Sequence, residues 1–277
     1  MVKPLKSHLT GTVKTRGMPQ PSCTAATLAP SSALASSASP VAVWWFGALL
    51  LTGLWDLGGL DLDVMRLIGT PTGFALQHTW VLERVLHEGV RQAATGVFLL
   101  IAVWALWPAR WNMGRLEAFA LPRRERWTVL LLVTLSLITV NLIKNASLTS
   151  CPWELQAFGG PAVYVSHWTW GLADGGTGRC FPGGHASSAF AFLALSLPWL
   201  MPPAGAQRGR ALGLRALGAV LSAGLVAGVV QTVRGAHYPS HTMWTLVICG
   251  GVSLAGWALF LAVKRSAAGP PQGGSAP

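Results

Sequence analysis

The sequence predicts an all-α polytopic membrane protein, built as a bundle of six transmembrane helices. Of the 277 residues, 52% are hydrophobic and only 10% are charged, whereas soluble domains carry about 25% charged residues. Several of the apolar segments are shorter than the ~20 residues that span a bilayer, so we expect their helices to extend into the flanking loops. The six segments lie at about 41–57, 92–108, 127–143, 186–201, 211–232 and 242–263.

Two features inside these segments support helices in a lipid environment. Many of the 14 tryptophans lie near predicted helix ends, as in an interfacial aromatic belt. Gly224 and Gly228 form a G-x-x-x-G pair in the fifth segment, which favours close helix packing in membranes. The membrane domain is therefore predicted at residues 41–263.

Two tails flank this domain. Residues 1–40 combine four basic residues with a run rich in Ser, Ala and Pro, and this composition cannot form a packed core. The basic start resembles a signal peptide, but no small-residue cleavage site follows Leu54, which favours an uncleaved anchor. We therefore predict disordered tails at 1–40 and 264–277.

The distribution of charge predicts the orientation. Fourteen of the 20 Lys and Arg lie in four segments that contain only two of the nine acidic residues. By the positive-inside rule these segments are cytoplasmic, and the loops between them face outward. The net charge of +11 then reflects topology, so nucleic acid is not expected as a partner. The four basic segments are 1–40, 108–126, 202–215 and 264–277, and the outward loops are 58–91, 144–185 and 233–241.

The turn before the fourth segment has the composition of an anion site. In the stretch GRCFPGGHASS, Gly183, Gly184 and His185 directly precede an apolar run. Glycine lets backbone approach a ligand closely, and unpaired amides at a helix start favour an anion such as phosphate. His185 can carry a proton there near neutral pH. A plain Pro-Gly turn that enters a helix is the alternative.

Cationic and imidazole side chains lie at the outer ends of two other segments. Lys144 follows the third segment, and VVQTVRGAHYPSH places Arg234, His237 and His241 before the sixth. A lysine at a helix end also serves as an interfacial anchor. Several cations and imidazoles at one face of the membrane nevertheless favour phosphate over carboxylate as the ligand.

These residues resemble the three motifs of the type 2 phosphatidic acid phosphatase (PAP2) superfamily, which shares its core with vanadium haloperoxidases. The motifs are K-x6-R-P, P-S-G-H and S-R-x5-H-x3-D, at the outer ends of a six-helix bundle. The resemblance covers about residues 41–263 and implies that fold with outward-facing active-site loops. The first two motifs match at Lys144, Pro152, Pro182, Gly184 and His185, and they depart from the family at Cys151 and Gly183.

The third motif matches less closely. His237 fits its histidine, and the HYPS that begins there is typical of the family. Gln231 stands where the family has arginine, and Arg234 lies about one helical turn away, within reach of the same phosphate. His241 replaces the aspartate that orients the nucleophile.

The resemblance implies in-line attack of His237 on phosphorus and a phosphohistidine that water hydrolyses. His185 would protonate the leaving oxygen, and His241 would orient His237 in place of the missing aspartate. Neither a metal nor another cofactor is implied. The phosphoryl oxygens would be held by Lys144, Arg234 and the backbone amides of Gly183 and Gly184.

Cys151 and Cys180 carry a separate hypothesis. Both lie in the outward loop that joins the first two motifs, where an oxidising compartment would favour a disulfide. Closing a loop of about 30 residues would stabilise the fold by about 3–4 kcal/mol in the chain-entropy model. It would also explain a cysteine where the family has arginine. Two free buried thiols are the alternative.

Two outward loops have less specific compositions. The loop 58–91 invites a metal interpretation, but helical spacing does not group its acids and histidines on one face, so we predict a solvated cap over the site. The loop 153–177 is rich in aromatics that suit either a lipid entry or interfacial anchoring. The acids and histidines of the first loop are Asp61, Asp63, His78, Glu83, His87 and Glu88.

The resemblance therefore predicts an integral membrane phosphatase that acts on a phosphomonoester or diphosphate of a lipid or lipid-linked substrate. A multi-pass protein of the bacterial inner membrane is expected, with cytoplasmic termini and the site facing the periplasm. The departures at Cys151, Gln231 and His241 leave an alternative: a catalytically weakened membrane protein that binds a phosphate head group. Haloperoxidase chemistry is disfavoured because those relatives are mostly soluble or periplasmic.

Overall fold

The computed structural model describes residues 39–108 and 120–267, and most of both predicted tails lies outside this range. The described part is helical, apart from one hairpin of two-residue strands and a few short turns. Its α-helices and strands are α1 (Pro40–Leu57), α2 (Leu60–Ile68), β1 (Gly69–Thr70), β2 (Gly73–Phe74), α3 (Val90–Leu106), α4 (Arg123–Ala146), α5 (Gly184–Phe190), α6 (Leu197–Leu200), α7 (Arg210–Val233) and α8 (Pro239–Ala267).

Five helices in the described ranges are long and apolar enough to cross a membrane. Their lipid-facing sides expose large apolar side chains such as Leu51, Leu100 and Leu142, as expected for segments solvated by acyl chains. The chain is therefore a multi-pass all-α membrane protein, which confirms the predicted fold class. The five are Pro40–Leu57, Val81–Leu106, Arg123–Ala146, Arg210–Val233 and Pro239–Ala267.

The fourth predicted segment forms the centre of the bundle rather than a regular span. It consists of α5, a 3₁₀ stretch at Ala191–Ser196 and α6. Phe190, Ala194 and Leu197 are fully or almost fully buried against the surrounding helices. This element is helical throughout but is too short and irregular to count with the other five. Its apolar composition reflects burial in protein instead of contact with lipid.

The G-x-x-x-G pair brings α7 close to its neighbours. A side chain at Gly224 would overlap the ring of Phe190, and one at Gly228 would overlap Thr242 of α8. The predicted close packing is confirmed. Because glycine has no side chain, the central element and α8 pack directly against the backbone of α7 at these two positions.

The second span begins at Val81, not at residue 92. A π-helical stretch at Val81–Gly89 runs directly into α3. Hydropathy alone places this stretch in a loop because it contains Glu83, His87 and Glu88. Its polar side chains are accommodated because the stretch lies over the end of the bundle that carries the three motifs, where His87 contacts His185.

The loops at the motif-bearing end of the bundle form a second, small hydrophobic core. Phe74 of the hairpin packs on Phe158 with ring centroids 4.9 Å apart, and Tyr238 of the HYPS sequence belongs to the same cluster. Gly235 adopts φ +76°, and any side chain there would overlap Phe74. Within the predicted solvated cap, Asp61, Met65 and Phe74 are buried, and the other residues of 58–91 are exposed or partly exposed.

Candidate active site

The three predicted stretches meet at one end of the bundle. Lys144 lies in the last turn of α4, and a side chain at Gly184 would start 3.4 Å from its Nζ atom. The Gly183 amide donates to the carbonyl of His241 at 3.1 Å, which joins the start of α5 to the first turn of α8. The site is thus built on three helix ends, which makes its geometry rigid.

Gly183 stands where the family has serine, and the structure gives a reason. An added Cβ would lie 3.3 Å from the His241 carbonyl oxygen and 3.4 Å from Thr245 Oγ1. Glycine therefore lets α8 approach the turn closely. Because the Gly183 amide is already donated to His241, it is not free for phosphate as the sequence suggested. The amide of Gly184 opens α5 and has no acceptor in a preceding helical turn.

His237 is held by backbone and by sulfur. Its amide donates to the carbonyl of Gln231 at 3.3 Å, and its Nδ1 atom lies 3.3 Å from Sγ of Cys180. Burial, followed by the positive charge of Lys144, lowers the pKa of His237 well below its usual value. The ring is therefore neutral near pH 7, as a nucleophile requires, and Nε2 is the nitrogen left to react.

His241 makes a different contact from the one expected. Its Nδ1 atom lies 3.0 Å from the Cys180 carbonyl, and because a carbonyl only accepts, Nδ1 is the donor. The ring centroids of His237 and His241 are 5.8 Å apart, and no hydrogen bond joins the two rings in the described structure. Cys180, rather than His241, is the direct neighbour of Nδ1 of His237.

A disulfide joins Cys151 to Cys180, the pair proposed from the sequence. It links the segment after α4 to the turn before α5, across 29 positions of sequence. The Cys180 half lies against His237 through its sulfur and against His241 through its carbonyl. The disulfide therefore holds Cys180 in place, and with it the sulfur that contacts His237 and the carbonyl that contacts His241.

Arg234 is a buried cation without a carboxylate partner among the described residues. Only 6% of its surface is exposed. Its Nε donates to the Gln77 carbonyl at 3.1 Å, and Nη1 lies 3.5 Å from Oε1 of Gln231. Gln231 occupies the position of the family's arginine, and its side chain contacts Arg234. A buried guanidinium with neutral partners is stabilised by an anion.

His87 is a site residue that the sequence analysis did not assign. Its ring lies on that of His185, with centroids 3.7 Å apart and planes inclined by 33°. Burial, followed by the positive charges of His87 and Lys144, lowers the pKa of His185 to about 3. Arg84, His87, Glu88 and Arg91 recur at helical spacing, which indicates a structured segment. Because this segment lies far from the motifs along the chain, nothing in the sequence connects it with the site.

Two groups of side chains have the composition of metal sites, but both are engaged otherwise. Cys151, Cys180 and His237 place ligand atoms within 4.8 Å of one another, although the two sulfurs are bonded together. Asp56, Asp61 and His167 form the second group. Metal independence stays a prediction.

The second group acts as an anchor for α8. Asp61 accepts hydrogen bonds from the Ser240 amide at 3.0 Å and from its hydroxyl, and Asp56 accepts one from the indole of Trp168 at 2.9 Å. Burial raises the pKa of Asp61, while these donors oppose the shift. The carboxylates therefore fix the start of α8 next to His237.

The fold and site define a class: polytopic membrane proteins in which histidines and cations cluster at the helix ends. A family model described as the PAP2 superfamily matches residues 125–265, half of the chain. The protein therefore belongs to the PAP2 superfamily, and this membership supports a phosphatase or phosphoester hydrolase role. Comparisons with curated proteins and with solved structures give no significant match. His87, Asp61 and Gln77 lie outside the matched residues.

Proposed function

We propose that the protein hydrolyses a phosphomonoester or diphosphate of a lipid or lipid-linked substrate. The observation that supports this most is the pairing of cations and imidazoles. Lys144 and Arg234 have no carboxylate partner in the described structure. The charge of Lys144 acts on the rings of His185 and His237, and that of Arg234 acts on His185. A site with buried positive charge and neutral imidazoles suits a phosphate dianion, whose binding replaces the missing counter-charge.

In the proposed reaction, Nε2 of His237 attacks phosphorus in line with the leaving oxygen. The phosphorus–oxygen bond breaks as the phosphorus–nitrogen bond forms, and His185 donates a proton to the leaving oxygen. Water then attacks the phosphohistidine, with His185 accepting its proton. Lys144, Arg234 and the Gly184 amide hold the phosphoryl oxygens throughout.

His185 needs the substrate in order to act as an acid. In the free protein its pKa of about 3 leaves the ring neutral. A bound phosphate brings two negative charges to the same cluster of cations, which favours the imidazolium and raises the pKa. Proton donation is thereby coupled to occupancy of the site.

An apolar rim beside the site favours a substrate with a hydrocarbon tail. Tyr164, Trp168, Trp170 and Leu172 are 41–58% exposed in the loop between the first two motifs. Aromatic side chains of this kind are enriched where a protein meets the membrane interface. A lipid could therefore present its head group to His237 while its chains stay in the bilayer. The distribution of Lys and Arg along the chain supports an orientation with this face on the outside of a bacterial inner membrane.

The test is phosphate release by the detergent-purified, full-length protein from a panel of lipid phosphates and diphosphates. Wild type is expected to release phosphate with EDTA present, and His237→Ala and His185→Ala should each lose at least about 100-fold in rate. Equal release by His237→Ala would rule out the assigned nucleophile. Binding of the substrates by folded wild type without any release would favour the alternative of a phosphate-binding protein.

A further inference from the structure

A cavity lies at the end of the bundle opposite to the site. Its volume is about 460 Å³, within the ~300–1,000 Å³ typical of ligand pockets. Residues of α1, the 3₁₀ stretch, α6, α7 and α8 line it. Leu197 and Ser253 at its walls are 2% and 1% exposed, whereas Trp44 and Leu214 are 80% and 53% exposed. The cavity therefore opens sideways, toward the bilayer.

The lining predicts an apolar occupant with one hydrogen-bond acceptor. Most of its side chains are aliphatic or aromatic, so a cavity open to the hydrocarbon region takes up an acyl chain rather than water. The hydroxyl of Ser253 is buried and has no hydrogen-bond partner in the described structure. A buried hydroxyl is stabilised by an acceptor such as an ester carbonyl.

A polar pocket of about 390 Å³ adjoins this cavity. The two share Pro40, Leu200 and Arg210. Arg208 in the polar pocket is paired with the buried Glu125 at 2.5 Å, which neutralises it. The exposed Arg210 has no ion pair or side-chain hydrogen bond with any residue in the described ranges. Its positive charge is available to an anionic head group.

We propose that the two pockets together bind an anionic glycerophospholipid, separately from the phosphate site. One acyl chain fills the apolar cavity, an ester carbonyl accepts from Ser253, and the phosphodiester lies against Arg210. Arg210 begins α7 and Arg234 follows its last residue. The helix has 24 residues and is about 36 Å long, so the two sites lie near opposite membrane faces.

Native mass spectrometry of the delipidated full-length protein tests this proposal, with equal amounts of phosphatidylglycerol and phosphatidylcholine added back. Wild type should retain one phosphatidylglycerol in preference to phosphatidylcholine. Arg210→Gln should reduce that preference about fivefold, because a basic residue near an anionic lipid contributes about 1 kcal/mol. The exposed Arg215 lies on the same helix outside the lining, so Arg215→Gln should leave the preference unchanged.

A pair of tryptophan substitutions tests the cavity itself. Ala48→Trp fills it and should abolish lipid retention, whereas Gly47→Trp adds the same side chain where the structure has no neighbour within 4 Å. Thermal unfolding in detergent reports whether each variant is folded. Equal retention of both lipids, unchanged retention in Arg210→Gln, or displacement by inorganic phosphate would each overturn the proposal. The last result would place the lipid at His237 instead.

Discussion

At the scale of single residues, no carboxylate of the described chain contacts His237, the proposed nucleophile. His237 meets a disulfide sulfur at Nδ1, and His241 donates to the Cys180 carbonyl. Neither partner compensates an imidazolium as a carboxylate would. Burial keeps the ring of His237 neutral, which favours its attack on phosphorus. The same surroundings stabilise the positively charged phosphohistidine less than a carboxylate would.

The stacked pair of His87 and His185 makes a prediction about pH. His185 must be protonated to donate, so kcat falls as pH rises through its pKa in the enzyme–substrate complex. Burial and the charge of His87 both lower the pKa of His185. His87→Gln removes a ring that repels the His185 imidazolium when both are protonated, and it admits water, so the alkaline limb of the kcat profile should move to higher pH, by up to about one pH unit.

The matched control for this experiment is His78→Gln. His78 is exposed and lies outside the helix that carries His87. Its pH profile should coincide with that of wild type. An alkaline limb that stays in place in His87→Gln, or moves to lower pH, would contradict the assignment of His185 as the acid under the influence of His87.

The sequence predicts Lys144, His185 and His237 as site residues because their residue types and order are retained in the motifs. It could not identify His87 or Gln77, which reach the site only through tertiary packing of a segment far from the motifs. The pairing of the Gly183 amide with α8 was also hidden, because backbone hydrogen bonds between elements leave no signature in side-chain composition.

At the scale of elements, the disulfide links the first two motifs and supports the third. We expect the double variant Cys151→Ser, Cys180→Ser to unfold more easily by about 3–4 kcal/mol, because a loop of 29 positions is released. The activity of this variant should also fall, because His237 and His241 both contact Cys180. Thermal unfolding and phosphate release, measured with and without reductant, report the two effects.

Cys249 supplies the control, since it is a free cysteine buried in the bundle. Reductant should impair wild type and Cys249→Ala alike, and it should have no effect on the double variant. Wild-type activity that withstands complete reduction of the disulfide would show that the cross-link does not position the histidines.

Hydropathy located the helical elements well but did not distinguish burial in lipid from burial in protein. The central element at Gly184–Leu200 is apolar because it is surrounded by other helices. Conversely, the polar stretch at Val81–Gly89 was assigned to a loop, although it continues a membrane helix. Both differences arise because the environment of an element depends on its neighbours, which composition alone does not specify.

At the scale of the whole molecule, the charge distribution predicts which face carries the site. In a Cys23→Ser background, Leu172→Cys lies in the exposed loop beside the site, and Ser266→Cys lies at the exposed end of α8. A membrane-impermeant thiol reagent on intact cells should label the first and spare the second. The reverse pattern would place the site in the cytoplasm and contradict the positive-inside assignment.

The matched half of the chain supplies the bundle core and all three motifs. The preceding segment supplies the remaining parts: Asp61 fixes α8, Gln77 holds Arg234, and His87 covers His185. The active end of the molecule is therefore assembled from both regions. The motifs therefore predict the residues of the proposed reaction, but they do not predict the residues of the preceding segment that pack against them.

The most direct test of the central claim is to trap the phosphorylated enzyme by rapid quenching during turnover of a substrate labelled in its phosphate. The account predicts a protein-bound phosphate that is labile to acid and stable to alkali, located on His237 and absent from His237→Ala. Labelled phosphate released at the wild-type rate by His237→Ala, or an adduct located on another residue, would contradict it.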